Sequence, residues 1–305
     1  MKEKVIVIVG PTGIGKTELA LKLCEKYNGE VINCDASQMK RKLNIGTAKI
    51  DLSKTNVVHH LIDIINPDET YSCADFQKSC RELITKINKR GKVPFIVGGT
   101  GLYASCAIYD YKLDNSSRDE SFAEEYKDYT NDELFDILEK LDFEQSKKLH
   151  KNNRIRVIRA IECARKGIKI SEKTGKLEPV YDALVICLTC DRNYLYERIN
   201  KRVLNMIEEG LIDEVKGLID QGYNPFSIPD LGYCQIAEYL ENAVTLDEAI
   251  DNIQKETRHY AKRQISWFSN QMKCINVDID KDFMNAENII CLLYTSPSPR
   301  DQRGS

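Results

Sequence analysis

The stretch Lys4-Val-Ile-Val-Ile-Val9-Gly10-Pro-Thr-Gly-Ile-Gly15-Lys16-Thr17 decides the fold. Its first six residues are a short β-branched run that stops at a glycine, the pattern of a buried strand. The next eight fit G-x-x-x-x-G-K-[ST], and residues 16–27 read as a helix. In that setting glycines let backbone N–H groups converge on an anion, and the helix N-terminus adds its dipole. Lys16 supplies a mobile positive charge and Thr17 a hydroxyl suited to Mg2+. The motif calls for a polyphosphate. It names neither ATP nor a reaction.

Working outward, strands are expected over residues 30–35, 93–97 and 184–190. Residues 71–90 have helical spacing, with Phe76, Cys80, Leu83, Ile84 and Ile87 on one face. Nearly all-apolar strands alternating with helices imply an α/β fold with a parallel sheet covered on both sides. About 85 residues separate the third and fourth strands, far more than a helical crossover needs. That gap is read as an inserted, mostly helical subdomain containing a basic helix over 153–166. Further helices are expected over 194–209, 211–221, 235–241 and 246–267. In an open α/β sheet, ligands bind beyond the carboxyl ends of the strands. Three such ends carry weight: residues 10–17, Asp35-Ala-Ser-Gln38 and Gly98-Gly-Thr-Gly101. Asp35 stands where a carboxylate can face a bound phosphate. The strand over 184–190 ends at Asp191, which is open to reading as a second, Mg2+-linked carboxylate.

With 42% apolar and 30% charged residues in 305, the composition is that of a folded, soluble protein and excludes a disordered chain. No apolar run approaches the roughly 20 residues that span a bilayer, and the early apolar run leads into a glycine loop instead of a signal-peptide cleavage site. Eleven scattered cysteines without an export signal read as reduced thiols. Cys187 and Cys190 form a C-x-x-C, but no second ligand pair for zinc accompanies them. His59 and His60 are adjacent, so on a strand they point apart, which favours a loop or packing role over joint metal ligation. The net charge of −3 conceals a strong asymmetry. Residues 113–145 hold twelve acidic and three basic residues, and residues 151–176 nine basic and two acidic. Residues 257–273 hold four basic residues and no acid. Local basic patches matter more for nucleic acid than the overall sum. The last stretch, 292–305, has no periodicity and is expected to be a non-native, cloning-derived tail.

Taken together, the motifs resemble one family, the tRNA dimethylallyltransferases or tRNA isopentenyltransferases. The resemblance rests on the phosphate loop, Asp35…Gln38, Ile45-Gly-Thr-Ala-Lys49, His59-His-Leu-Ile-Asp63, Tyr71-Ser-Cys-Ala-Asp75-Phe76 and Gly98-Gly-Thr-Gly-Leu-Tyr103. Downstream it continues with Arg156-Val-Ile-Arg159-Ala-Ile-Glu162, Asp191-Arg192, Arg198-Ile…Arg202-Val and Gly210-Leu-Ile-Asp-Glu214. Gly232-Tyr233 and Tyr260-Ala-Lys-Arg-Gln264…Trp267-Phe268 complete it. It covers residues 4–280 in order. The chain departs from the family pattern at Lys40, where a tyrosine is usual, and at Cys234, where a basic residue is common.

The resemblance implies a P-loop NTPase-like parallel sheet core with a helical insertion. The core would comprise residues 1–112 and 181–291, the second part with the C-terminal helices, and the tRNA-binding insertion residues 113–180. It further implies a cytoplasmic, monomeric transferase that moves a dimethylallyl group from dimethylallyl diphosphate to N6 of an adenosine. That adenosine lies 3′ of the anticodon in tRNAs reading codons that begin with U. Gly10, Thr12, Gly13, Gly15, Lys16, Thr17, Arg198 and Arg202 would bind the diphosphate, with Mg2+ on Thr17 as cofactor. Asp35 would accept the N6 proton, and Thr100 would sit at the target adenosine. Asp35, Ala36, Ser37, Gln38, Thr100, Arg156, Arg159, Arg258, Lys262 and Arg263 would contact the anticodon stem-loop, and no membrane is involved. The alternatives are a P-loop small-molecule kinase, a free-AMP isopentenyltransferase, and a non-catalytic RNA-binding module. None of these accounts for the insertion, the late basic helix and Asp35 with Thr100 together.

Overall fold

The computed structural model describes residues 2–111, 113, 120–173 and 178–279. The expected tail at 292–305 lies outside the described residues.

The chain begins with β1 (Lys4–Val9), α1 (Lys16–Tyr27), β2 (Gly29–Asn33), β3 (His59–His60), α2 (Cys73–Lys89), β4 (Val93–Gly98) and α3 (Gly101–Ile108). Four helices follow: α4 (Glu120–Glu125), α5 (Asn131–Leu141), α6 (Phe143–Ser146) and α7 (Arg154–Arg165). The chain then returns to β5 (Asp182–Thr189), α8 (Arg192–Glu208), α9 (Leu211–Asp220), α10 (Tyr233–Leu240), α11 (Leu246–Gln271) and β6 (Ile275–Asp278). All strands pair in parallel, in the order β3-β2-β4-β1-β5-β6.

The strands are apolar because both sheet faces are buried. Along β1, Val5, Val7 and Val9 face a core with α2, α3 and Phe268, while Ile6 and Ile8 face α1 and α8. All five are fully buried. At about 1.5–3 kcal/mol per large aliphatic side chain, this one strand anchors much of the sheet. A third cluster, with Val203, Met206, Leu211, Tyr233, Ile236 and Ile253, binds α8, α9, α10 and α11 together.

The described residues divide into two compact units, one from residues 2–109 with 179–279 and the other from within residues 110–178. The second unit has its own core of Tyr126, Leu134, Leu138, Val157 and Ile161. Thr130 caps α5 reciprocally with Glu133. No described helix is long and apolar enough to cross a membrane.

Several expectations shift. β2 ends at Asn33, short of the expected Asp35, because an Asx turn stops it. The Asn33 side chain donates to the carbonyls of Leu61 (2.8 Å) and Asp35 (3.0 Å) and accepts from the Asp35 N–H at 3.1 Å. Asp35 therefore leaves the ladder and stands on a loop. Asp191 is the N-cap of α8: its side chain accepts from the N–H groups of Asn193 (2.8 Å) and Tyr194 (3.2 Å). β3 and β6, each of four residues or fewer, were too short to expect. His60 packs against Glu30, its Nε2 lying 2.7 Å from the carboxylate.

Candidate active site

The β1–α1 loop is built around glycines. Gly15 precedes α1 with φ 100°, a conformation open to glycine and strained for other residues. Lys16 folds back over the loop, its Nζ donating to the carbonyls of Gly10 (3.0 Å) and Pro11 (2.8 Å). Burial lowers its pKa to about 8, against the opposing pull of the Asp35 carboxylate.

The ends of β2 and β4 approach so closely that a Cβ on Gly98 would lie 2.0 Å from the Cys34 carbonyl oxygen. This approach brings the next residues into contact. The Thr100 N–H donates to Cys34 O at 3.1 Å, and Thr100 Oγ1 accepts from the Ala36 N–H at 3.1 Å. The Asp35 carboxylate accepts from the Ser37 N–H at 3.1 Å. Burial raises the Asp35 pKa above the ordinary aspartate value. Lys16, the Ser37 N–H and Arg202 pull the other way without reversing it.

From α8, Arg198 and Arg202 face this point one helical turn apart. Arg198 Nε donates to Gly13 O at 2.9 Å and Arg202 to Thr47 O at 3.4 Å. Two cavities result. One, about 700 Å³, is lined by Gly13, Lys16, Thr17, Gln38, Arg198 and Lys201 among others. The second, about 320 Å³, has polar walls at Ser37, Asp230 and Tyr260 and apolar walls at Ile199, Val203, Met206 and Ile253. Thr12, Asp35 and Arg202 line both.

The loop after β2 is held in place by one carboxylate. Glu214 accepts from the N–H groups of Asn44 (3.0 Å), Ile45 (2.8 Å) and Gly46 (3.2 Å) and from the Tyr233 hydroxyl at 2.7 Å. Three motifs distant in sequence, at residues 45–49, 210–214 and 232–233, thus meet at one point.

Of the residues singled out in the sequence, Thr12, Gly13, Gly15, Lys16 and Thr17 of the phosphate loop line these cavities together with Asp35, Ser37, Gln38, Arg198 and Arg202, and Ala36 and Thr100 are hydrogen-bonded beside them. Gly10 lines neither cavity; its carbonyl accepts from Lys16 Nζ. Lys262 and Arg263 are exposed on α11, forming an open basic groove with Trp267 and Asn270. Arg258 instead donates to Asn200 Oδ1 of α8 at 2.6 Å. Arg156 and Arg159 belong to the second unit, where Arg156 is exposed and Arg159 donates to Glu162 at 2.6 Å.

Asp230 was not singled out in the sequence, and Lys40 stood there only as a departure from the family pattern. Their side chains, about one-tenth exposed, pair at 2.9 Å, and the Ser37 hydroxyl also donates to Asp230. The signals were present: Lys40 replaces the usual tyrosine, and Asp230 lies just before Gly232-Tyr233. Among the described residues, no group of three or more His, Cys, Asp or Glu side chains could hold a metal.

A phosphate-gripping loop and two arginines on one side of a half-buried carboxylate, with a half-apolar cavity on the other, define a P-loop group-transfer enzyme. The sequence profile of the IPP transferase family matches residues 38–271. The chain belongs to that family. It is 43% identical over 305 residues to a tRNA dimethylallyltransferase of Halalkalibacterium halodurans, covering 95% of this chain and 97% of that one. The crystal structure of the full-length tRNA isopentenylpyrophosphate transferase from Bacillus halodurans superposes with a TM-score of 0.71 at 42% identity, covering 96% of this chain and 97% of that one. A eukaryotic dimethylallyltransferase acting on tRNA superposes with a TM-score of 0.84 at 27% identity, covering 97% of this chain and 81% of that one.

Proposed function

We propose that this chain transfers a dimethylallyl group from dimethylallyl diphosphate to N6 of the adenosine 3′-adjacent to the anticodon in tRNAs reading codons that begin with U. The observation that carries this reading is the place of Asp35, in the wall shared by the phosphate-loop cavity and the half-apolar cavity.

In the proposed reaction, N6 of adenine forms a bond to C1 of the dimethylallyl group. The C1–O bond breaks, and pyrophosphate leaves with the bonding pair. N6 is a weak nucleophile because its lone pair is shared with the ring, so a base that takes its proton as the bond forms lowers the barrier. Asp35 is that base, and the proton ends on its carboxylate. Lys16, Arg198 and Arg202 stabilise the charge growing on the leaving oxygen, in a site where part of the water has been excluded. Lys16 must first leave the loop carbonyls of Gly10 and Pro11 to meet the diphosphate. Thr100 steadies the Asp35 loop through the Ala36 N–H.

Thr17 lines the diphosphate cavity and offers a hydroxyl. This suits Mg2+, which takes few protein ligands and fills its shell with phosphate oxygens and water. When bound there, the ion would supply further neutralisation of the diphosphate charge. A base inside an anticodon loop must be turned out to enter a pocket. Lys262 and Arg263, with Arg156 and Arg159 of the insertion, are the proposed phosphate-backbone contacts. A cytoplasmic, monomeric enzyme fits this substrate.

Transfer of labelled dimethylallyl from its diphosphate, with Mg2+ present, tests the reading. The acceptors are an anticodon stem-loop with an A-rich loop, the same stem-loop with guanosine at the target position, and free AMP. Label on the adenosine stem-loop alone is expected. Label on AMP, or phosphate transfer from ATP without prenyl transfer, overturns it.

A further inference from the structure

We infer that Gln264 is a positioning residue which, through one side-chain amide, holds the phosphate loop and the Thr100 loop in register. The inference rests on the transferase reading above and adds to it a residue that neither touches substrate nor appears among the groups placed there.

Gln264 lies on α11 and is 5% exposed. Its Oε1 accepts from the Thr12 N–H at 2.9 Å, and its Nε2 donates to Gly99 O at 2.9 Å. The backbone on each side fixes the orientation of the amide, because an N–H can only donate and a carbonyl can only accept. Thr12 follows β1, and Gly99 follows β4, its neighbour in the sheet. The amide therefore ties together the ends of two adjacent strands at the level of the site. The fit is close: a Cβ on Gly99 would lie 2.3 Å from Gln264 Nε2. One turn further along α11, Trp267 presses on Gly101, where a Cβ would lie 2.2 Å from its ring. Thr100 is thus gripped on both flanks by one helix.

Two consequences follow. The Thr12 N–H is committed to Gln264, so a diphosphate is left to the later amides of the loop and to Lys16. The contacts Gln264 to Gly99, Thr100 to Ala36, and Ser37 to Asp35 also form a short route from the phosphate loop to the proposed base. A distance between leaving group and base is set along that route. Such distances matter, because a misplacement of about 1 Å can reduce rate a hundredfold. Only a neutral side chain with both a donor and an acceptor fills this place. Methionine has the length but neither hydrogen bond. Glutamate, when ionised, cannot donate to Gly99 O and sets a negative charge beside the diphosphate.

The test compares wild type, Gln264→Met and Gln264→Glu in single-turnover transfer to the adenosine stem-loop, with folding followed by circular dichroism. Gln264→Met is expected to lose about 10- to 100-fold in turnover while still folded. Gln264→Glu is expected to be impaired at pH 8 and to recover relative to wild type towards pH 6. A protonated carboxyl again both donates and accepts, and burial raises the pH at which it protonates. A role in stability alone would lower the melting temperature and leave that ratio flat. Wild-type turnover in Gln264→Met, or a Gln264→Glu deficit equal at every pH, overturns the inference. If Gln264→Met does not fold, the pH ratio decides alone. A wild-type chain that transfers nothing refutes the function itself. A wild-type chain that transfers, matched by both variants, refutes only the role of Gln264.

Discussion

Replacing Asp35 by asparagine separates a base from a mere ligand. The change is nearly isosteric, and the amide oxygen can still accept from the Ser37 N–H, so the loop should keep its shape. What disappears is the ability to take a proton and one negative charge beside Lys16 and Arg202. Those two cations are among the groups that hold the Asp35 carboxyl down, so the same charge must in turn stabilise them. Loss of a general base reduces rate by about 10²- to 10⁴-fold, or roughly 3–5.5 kcal/mol on the barrier. Loss of the charge acts in the opposite direction on binding, since dimethylallyl diphosphate then meets Lys16 and Arg202 without a competing carboxylate. The expected result is a single-turnover rate down by at least about a hundredfold, with diphosphate binding unchanged or tighter by calorimetry without tRNA. The wild-type rate should also fall on the acid side at a pH above the usual carboxylate range, because a raised pKa leaves the base protonated there. An Asp35→Asn rate within about tenfold of wild type, or weakened diphosphate binding, would refute the reasoning.

Other outcomes are expected. Dimethylallyl diphosphate affinity, measured without tRNA, should weaken as pH rises through about 8, because Lys16 is charged below that value and neutral above it; Lys16→Ala should bind weakly and show no such dependence. Gly98→Ala places a methyl 2.0 Å from the Cys34 carbonyl oxygen, where only backbone can give way, and should destabilise the core by about 3 kcal/mol or more in urea unfolding. Lys40→Met strands Asp230 in a nearly buried place and should cost about 3–5 kcal/mol, while Lys40→Met combined with Asp230→Leu should recover much of it, as melting curves of the single and double variants will show.

The strand–loop–helix start, the parallel sheet and the inserted helices were all legible, because each leaves a periodic or glycine signal in a short window. Arg198 and Arg202 were also legible, since a four-residue spacing on a helix fixes a shared face. The edge strands were not, as a two-residue β3 has no period to detect. Asp191 was ambiguous in sequence because a carboxylate at a strand end and one at a helix start occupy the same place; its bonds to Asn193 and Tyr194 show it capping α8. Asp230, Glu214 and Gln264 act through partners far along the chain. Nothing local to them tells a buried clamp from a solvated side chain. The Glu214 carboxylate is invisible as a loop anchor until residues 44–46 are seen folded against it.

The return of the chain to its own departure point bears on how the protein folds. Tyr109 and Pro179 pair as an isolated bridge, and within the second unit the Asp110 N–H donates to Glu178 O at 3.0 Å. Central strand β1 must find β5, with Lys4 opposite Asp182, across most of the polypeptide. Ring closure over such a span is slow, because chain entropy must be surrendered before the contact rewards it. Once its own helices have formed, the insertion joins residues 109 and 179 and removes itself from that span. An early-forming insertion would thus shorten the search that completes the sheet. Mutations that loosen its Leu134 and Leu138 core should then slow assembly of the β1–β5 pair, even though they lie outside the sheet.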